Sequence, residues 1–261
     1  MRKSLLLGLS ALAMTSAFAA PAAAADLGGG FSVSGGATIV SDYRFRGISQ
    51  SFKNIALQGT ISVSHKSGFY ATVWGSTIDD YISAGGDEEL DLIAGYKHDF
   101  NGTVLDLGVL YYYYPGSERI IPGWNSDFFE PYISVAHTFG PVTAKVTANY
   151  APKQKALAWV HSKDDNLYIA GDLTVAIPKT PVSLTGHLGH TFGPSYLSGG
   201  FKDYTDWSIG ASVTKGPVTV GVSYVDTNKS LFTVSNPFAN PFTKQKDIMK
   251  AGVVGSIGVA F

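Results

Sequence analysis

The strongest constraint on the fold of this chain is a hydrophobic alternation of period two, which recurs in twelve segments. In residues 142–150, for example, Val142 and Val146 lie on one face and Lys145 on the other. Successive side chains of a β-strand point to opposite faces, so each segment is predicted to be a strand with one apolar face. The twelve segments are 31–46, 54–65, 68–78, 88–99, 103–114, 127–138, 141–151, 165–177, 181–192, 203–214, 217–227 and 247–261.

The connections between these segments alternate in length. Short links such as "HKSG", "TFGP" and "TKGP" follow the even-numbered segments, and longer links such as "PGSERIIPGWNS" follow the odd-numbered ones. The strands of a soluble β-sandwich would also alternate between apolar and polar residues. Their solvent-facing side chains would be largely charged, however, whereas the polar face here consists mainly of Ser, Thr, Gly and Asn. The predicted fold class is therefore an all-β transmembrane antiparallel β-barrel of about 12 strands, with short periplasmic turns and long extracellular loops.

The composition agrees with a barrel that faces lipid. Hydrophobic residues make up 45% of the chain and charged residues only 15%, whereas soluble proteins carry about 25% charged residues. The chain has no cysteine, and its net charge of −1 gives no reason to expect nucleic acid as a partner. No run of 18 apolar residues follows the N-terminal region, so no transmembrane helix is predicted.

The N-terminus indicates export. Arg2 and Lys3 precede the apolar stretch 5–13, and "SAFAAPAAAAD" then offers small-residue cleavage sites. The predicted organisation is a signal peptide at 1–25 and an outer-membrane β-barrel domain at 26–261. The expected location is the outer membrane of a Gram-negative bacterium.

The C-terminal segment "VVGSIGVAF" ends in Phe261. A last strand that finishes in Phe resembles the signal by which barrel proteins are recognised for outer-membrane insertion. The expected partners are thus the barrel assembly machinery, through this strand, and outer-membrane lipid.

Four blocks in the first half of the chain carry a family resemblance: "VSDYRFRGISQS" (40–51), "ALQGTISVSH" (56–65), "GFYATVWGS" (68–76) and "ELDLIAGY" (89–96). Together they resemble the N-terminal half of the TorF family of porin-type proteins, and "SDYRFRGISQS" is the most specific element. The resemblance implies an outer-membrane β-barrel and supplies no catalytic residues.

The stretch "SDYRFRGIS" (41–49) is the main candidate for a functional site. If the first strand keeps its phase to residue 46, Tyr43 and Phe45 face lipid in the outer aromatic belt, and Arg44 and Arg46 face the pore at its external mouth. Rings of arginine favour anions in narrow pores, so the two arginines could form a basic rim. Alternatively, they pair with Asp42 or with loop carboxylates such as Asp79 and Asp80 and stiffen the mouth.

The same phase argument assigns the remaining candidate residues. The predicted pore-lining residues are Asp42, Arg44, Arg46, Glu89, Asp91, Asp106, Glu130, Lys145, Asp172, Asp206 and Lys250. The predicted aromatic belt comprises Phe31, Tyr43, Phe45, Tyr111, Tyr113, Tyr150, Tyr224 and Phe261.

The predicted function is a porin-like channel for passive diffusion of small hydrophilic solutes or ions, without a cofactor. The alternative is a closed structural barrel, or one that binds a ligand or partner through its extracellular loops. An enzyme is not predicted, because the stretch around His190 lacks the arrangement of a lipid hydrolase. No metal site is predicted either, since neither the histidines nor the acidic loop "SAGGDEELD" has ligand spacing.

Overall fold

A computed structural model describes residues 24–119, 121–233 and 245–261. Most of the predicted signal peptide lies outside these residues. The described residues contain no helix long and apolar enough to cross a membrane. The two helical elements that they do contain are single 3₁₀ turns, at Lys155–Leu157 and Tyr196–Ser198.

Twelve antiparallel strands form a closed barrel. They are β2 (Phe31–Val40), β5 (Ala56–His65), β6 (Phe69–Thr77), β7 (Glu88–Phe100), β8 (Thr103–Tyr113), β9 (Phe128–Phe139), β10 (Val142–Gln154), β11 (Asp164–Ala176), β12 (Val182–Phe192), β13 (Asp203–Lys215), β14 (Val218–Thr227) and β17 (Gly252–Ala260). Each strand pairs with its neighbour in sequence, and β17 pairs with β2 to close the cylinder. The predicted all-β fold of twelve strands is confirmed.

Three short pieces supplement the barrel. Strand β1 (Ala25–Gly28) pairs with β2 at one end. The pair β3 (Arg44–Phe45) and β4 (Ile48–Ser49) forms its own two-stranded sheet, as does the pair β15 (Phe232–Thr233) and β16 (Lys246–Asp247).

The two ends of the barrel differ as the link lengths predict. Tight turns such as Asn101–Gly102, where both residues have positive φ (57° and 95°), define the short-turn end. That backbone geometry matches the twist of the flanking strands, which is why it closes two-residue hairpins. Links of up to 24 residues, as between β14 and β17, define the long-loop end.

The outward face of the wall is apolar along its length. Its exposed side chains include Ile39, Leu57, Val73, Leu92, Ile133, Leu173, Leu188, Ile209 and Val253. Six of the predicted belt residues lie exposed here: Phe31, Tyr111, Tyr113, Tyr150, Tyr224 and Phe261. Such a surface would be unfavourable in water, so the wall suits a lipid environment.

Two predicted strand boundaries are wrong. The first strand ends at Val40 instead of continuing to residue 46, and the last begins at Gly252 instead of residue 247. Lys250, a predicted pore-lining residue, therefore lies exposed in the last long loop and not in the wall. In both places the alternating sequence pattern extends beyond the residues that pair in the sheet.

Candidate functional site

The segment after β2 folds into the barrel as a hairpin. The Ser41 amide still bonds to the Gly255 carbonyl of the wall at 2.9 Å, and the chain then turns inward. Residues 43–50, which we call the plug hairpin, form the pair β3–β4. Arg46 and Gly47 have φ of 49° and 80° at the tip, the geometry of a two-residue hairpin turn.

The tip of the plug hairpin packs against the inner wall at β13 and β14. A Cβ atom added at Gly47 would come within 2.5 Å of Thr227 Cγ2 and 2.9 Å of Asp206 Cβ. The Tyr204 hydroxyl donates to the Arg46 carbonyl at 3.0 Å. The hairpin thus bridges β2 to β14 and β13, which lie two and three strands away around the closed barrel.

The predicted lipid-facing positions of Tyr43 and Phe45 are wrong. Their exposed fractions are 2% and 8%. The Tyr43 hydroxyl donates to Glu89 Oε1 at 2.9 Å, and the Phe45 ring meets Tyr112 edge-on at 6.0 Å. Strand phase assigns a face only while the chain remains in the sheet, and the bend after Val40 ends it.

Arg46 is the central anchor of the plug hairpin. Its Nη2 donates to both carboxylate oxygens of Glu130 at 2.7 Å, and its Nη1 donates to Asn166 Oδ1 at 3.2 Å. The guanidinium also lies 4.3 Å from the ring centre of Tyr168. The side chains of Arg46 and Glu130 are both fully buried, so the predicted position of Arg46 at an open mouth is wrong.

Arg44 fastens the hairpin to the last long loop. Its Nε donates to Asp42 Oδ2 at 2.6 Å, the pairing weighed above as an alternative to a basic rim. Its Nη1 donates to the carbonyls of Gly47, Ile248 and Lys250 at 2.9, 3.3 and 3.2 Å. With 1% of its surface exposed, Arg44 does not form an open rim either.

The positive charge of Arg44 acts on Lys53 in the neighbouring loop. Partial burial and the neighbouring Arg44 lower the pKa of Lys53 below its usual value. The Arg44–Asp42 ion pair therefore lies close to a second cation, Lys53.

The half of the lumen at the long-loop end is packed. Its inward side chains are buried, and they include Trp74, Glu89, Asp91, Ile93, Leu110, Tyr112, Phe128, Glu130, Asn149, Asn166, Tyr168 and Tyr204. Loop residues cover them, among them Ile78, Ile82, Leu157, Leu197, Ile248 and Met249. Glu89, Asp91 and Glu130 do face inward as predicted, but against the plug hairpin and not toward an open pore.

Asp91 is the least satisfied of these carboxyl groups. It is fully buried, and neither oxygen has a hydrogen-bond partner among the described residues. Glu89 and Glu130 lie close enough to repel it. Burying a carboxylate without a partner is costly, so this position carries strain.

Asp91→Asn should stabilise the protein by about 1–3 kcal/mol, because the amide removes a buried charge and can donate to the neighbouring carboxylates. Urea unfolding in lipid vesicles, followed by tryptophan fluorescence, would measure the change. Glu88→Gln removes one charge from an exposed position next to Glu89 and serves as the control. A midpoint that stays the same or falls in Asp91→Asn would contradict this account.

The half of the lumen at the short-turn end is a water-accessible cup. Thr72, Ser134, Ser212 and Thr219 are buried there. Most of the other inward side chains are half-buried, and they include Ser34, Thr38, Thr60, Ser62, Lys97, Thr138, Thr143, Lys145, Asp172, Thr174, Ser183, Thr185, His187, Ser208, Ser223 and Ser256. Hydroxyl groups pair across strands along this wall, as between Ser62 and Thr72 at 2.7 Å and between Thr138 and Thr143 at 3.0 Å.

A belt of charged side chains lies where the cup meets the packed half. Lys97 pairs with Asp106 on one side. On the other, Lys145 pairs with Asp172, and His187 bridges Asp172 and Asp206 at 2.7 and 3.0 Å. Asp106, Lys145, Asp172 and Asp206 face inward as predicted.

Sequence reasoning missed the tyrosines and the asparagine that complete this network. Tyr70 and Tyr132 bond to each other, and Tyr70 donates to Asp106 at 2.8 Å. Asn166 accepts from Arg46, and Tyr168 donates to Asp206 at 3.1 Å. Their inward phase within predicted strands was the available signal. For the hairpin, the signal was a glycine after "YRFR" and before "ISQS".

No metal-binding arrangement is found among the described residues. His190 lies on the outward face and bonds to the Thr205 hydroxyl at 2.8 Å. No group of three His, Asp or Glu side chains within the described ranges could hold a metal ion.

Comparison with protein families gives one match over most of the chain. Residues 24–253 match the family described as a bacterial protein of unknown function, Gcw_chp. The chain belongs to this family. The match does not carry the TorF name, so that narrower assignment stays a prediction. A search of curated proteins finds no match.

Solved structures with a similar fold are outer-membrane proteins. The NanC porin is 14% identical with a TM-score of 0.54, over 88% of this chain and 98% of that one. An outer-membrane channel from Pseudomonas putida F1 is 10% identical with a TM-score of 0.45, over 90% of this chain and 98% of that one. At these identities the likeness to the NanC porin supports the barrel fold alone.

Proposed function

We propose that this protein is a porin-like channel of a Gram-negative outer membrane, closed at rest by its plug hairpin. The apolar outward face and the even number of strands suit that membrane, with the short turns periplasmic and the long loops extracellular. Small hydrophilic solutes would enter the cup from the periplasm and pass only when the hairpin leaves the lumen. Surrounding lipid and, through β17 and Phe261, the barrel assembly machinery remain the proposed partners.

The contrast between the two halves of the lumen carries this proposal. Wall side chains at the short-turn end reach water, whereas those at the long-loop end are packed against a segment that belongs to a separate sheet. The backbone pairing of the hairpin comes from the β3–β4 ladder, from the bond of the Ser49 amide to the Ile248 carbonyl, and from the bond of the Asp79 amide to the Gln50 carbonyl. None of these bonds involves the barrel strands. Its release would therefore leave the twelve-stranded wall intact. Permanently open passive diffusion fits the packed half less well than gated passage does.

The packing of the long-loop end also favours a second candidate. Two clusters of buried apolar side chains, one around Leu157 and Leu197 and one around Ile248 and Met249, hold the loops in place. A barrel sealed this way could act through its loops as a ligand-binding or structural protein. Conductance distinguishes the two functions.

Planar bilayer recordings on the wild-type protein test the proposal. We expect little current at low voltage and discrete openings as the voltage rises, because the field acts on the charged hairpin. Swelling of liposomes in solutes of graded size would run in parallel. A folded barrel that stays silent at every voltage would reject the channel and support the loop-based function. Steady current at low voltage, without discrete openings, would reject the plug.

A further inference from the structure

His187 stands at the boundary between the cup and the packed half of the lumen. Its side chain keeps 16% of its surface exposed, so the ring can exchange a proton with water in the cup. Both ring nitrogens face carboxylates: Nδ1 lies 2.7 Å from Asp172, and Nε2 lies 3.0 Å from Asp206. The Asp172 side chain is 33% exposed, whereas that of Asp206 is only 1% exposed. His187 therefore connects a solvated carboxylate to a buried one.

Asp206 and its neighbour Tyr168 support the tip of the plug hairpin. Gly47 packs so closely on Asp206 that an added Cβ atom would lie 2.9 Å from the Asp206 Cβ. The Tyr168 ring packs against the guanidinium of Arg46 at 4.3 Å, and its hydroxyl donates to Asp206 at 3.1 Å. Gly189 makes room for this bond, because a Cβ atom there would clash with the Tyr168 hydroxyl.

Three polar groups converge in what we call the tip seat, formed by Tyr168, His187 and Asp206. The Tyr168 hydroxyl lies 2.9 Å from His187 Nε2 and within 3.2 Å of both Asp206 oxygens. When the ring carries both protons, Nε2 and the hydroxyl each donate to Asp206, and the charge of the ring balances the carboxylate. A neutral ring has one proton for two carboxylates. Whichever nitrogen loses its proton, a lone pair then faces a carboxylate and the charge that balances Asp206 is gone.

The other charged groups around the tip seat do not replace His187. On β10, Lys145 lies 3.6 Å from Asp172. In the plug hairpin, the Arg46 guanidinium donates to both carboxylate oxygens of Glu130. On β13, the Tyr204 hydroxyl donates to the Arg46 carbonyl. Among the residues that the structure describes, His187 is thus the one cation in an ion pair with Asp206.

We propose that His187 is a positioning residue for the plug hairpin: its doubly protonated ring holds the tip seat beneath Gly47, and loss of a proton to the cup releases the hairpin. A buried carboxylate without a counter-charge is costly, and Asp206 gains water only when the tip moves away from it. The closed barrel therefore holds this proton more tightly than the open one, so closure is strongest at low pH and weakens as the pH rises. The inference rests on the proposed function, since it names the regulation of the hairpin that closes the channel.

Trypsin cleavage after Arg44 at pH 7 and pH 9, on the folded full-length protein in detergent, tests the proposal without any current. Arg44 is buried, so cleavage there requires release of the hairpin. Cleavage after Arg119, whose side chain is 57% exposed, corrects in the same sample for the pH dependence of trypsin itself. The corrected rate should rise about tenfold or more from pH 7 to pH 9, because the closed state binds more protons than the open state. An unchanged rate would overturn the proposal.

His187→Gln should raise the cleavage rate at pH 7 about tenfold or more and remove its pH dependence, since the amide keeps a donor but has no charge and does not titrate. His190→Gln is the control, because it removes a histidine from the outward face of the same strand and should keep the wild-type pH dependence. His187→Gln/Asp206→Asn should return the rate close to that of the wild type at pH 7, since the tip seat then holds no buried charge. A merely structural role for His187 would give neither this rescue nor the pH profile.

The difference in gel migration between heated and unheated samples shows which variants are folded. A pH dependence that persists in folded His187→Gln, or that disappears in His190→Gln, would overturn the role of His187. Release that depends on pH through His187, in a barrel that stays silent at every voltage, would reject the proposed function alone. A conducting barrel whose cleavage does not change with pH would reject the tip seat alone.

Discussion

Replacing residues 44–49 by Asn-Gly should produce a folded barrel with about tenfold or more conductance than the wild type, since twelve strands enclose a lumen that the hairpin now fills. The Gln50 amide bonds to the Tyr43 carbonyl at 2.7 Å, so these two residues are already positioned to flank a two-residue turn. The exchange removes both arginines and Phe45 while it leaves the wall pairing unchanged. Water entering the vacated space would solvate Glu89, Asp91 and Glu130.

Single-channel recordings measure this effect, and a loop deletion provides the control. Removing Ser162 and Lys163 shortens another long loop at exposed positions, and the conductance should stay at the wild-type level. Heat-modifiable mobility, the difference in gel migration between heated and unheated samples, would establish that each variant is folded. If the Asn-Gly variant folds and remains silent, the hairpin is not what closes the lumen.

Arg46→Met should favour release of the plug hairpin by about 3–5 kcal/mol, because it leaves Glu130 buried without its main partner. That free energy corresponds to a shift of about two to four orders of magnitude in the ratio of closed to open barrels. Trypsin cleavage after Arg44, which is buried in the closed state, measures release independently of any current. The cleavage rate and the open probability should rise together.

Two matched variants show whether burial of the ion pair is the cause. Arg46→Met/Glu130→Gln should restore much of the free energy that keeps the hairpin in the closed position, since the uncompensated charge of Glu130 is gone. Arg119 and Asp87 form an exposed pair at 3.3 Å, with 57% and 59% of their side chains accessible. Arg119→Met should change the free energies of hairpin release and of unfolding by no more than about 1 kcal/mol. Similar effects at Arg46 and Arg119 would contradict a buried anchor.

The wall of the barrel was predictable because its signal is local. Lipid on one side and a polar lumen on the other require alternation along every strand, and antiparallel neighbours require short turns at one end. Residues 142–150 show this pattern in the sequence and form part of β10 in the structure. The inward phase of Asp106, Lys145, Asp172 and Asp206 follows from the same rule.

The plug hairpin was not predictable in the same way, because its stability comes from contacts distant in sequence. "SDYRFRGIS" alternates as a wall strand does, and the phase rule accordingly placed its aromatic residues in lipid. The interactions that draw it inward include Arg46 with Glu130, 84 residues away, and Arg44 with the Ile248 carbonyl, 204 residues away. Local pattern carries no information about such pairs.

The sequence by itself thus determined the number of strands, their faces and the ends at which the loops lie, because each follows from spacing along the chain. Only the tertiary structure decided whether the lumen is open. Closing the barrel brings the carboxylates of β7 and β9 and the loops around the arginines of one short segment. A buried charge requires a partner, and that requirement places Arg44 and Arg46 inside the barrel instead of at its rim.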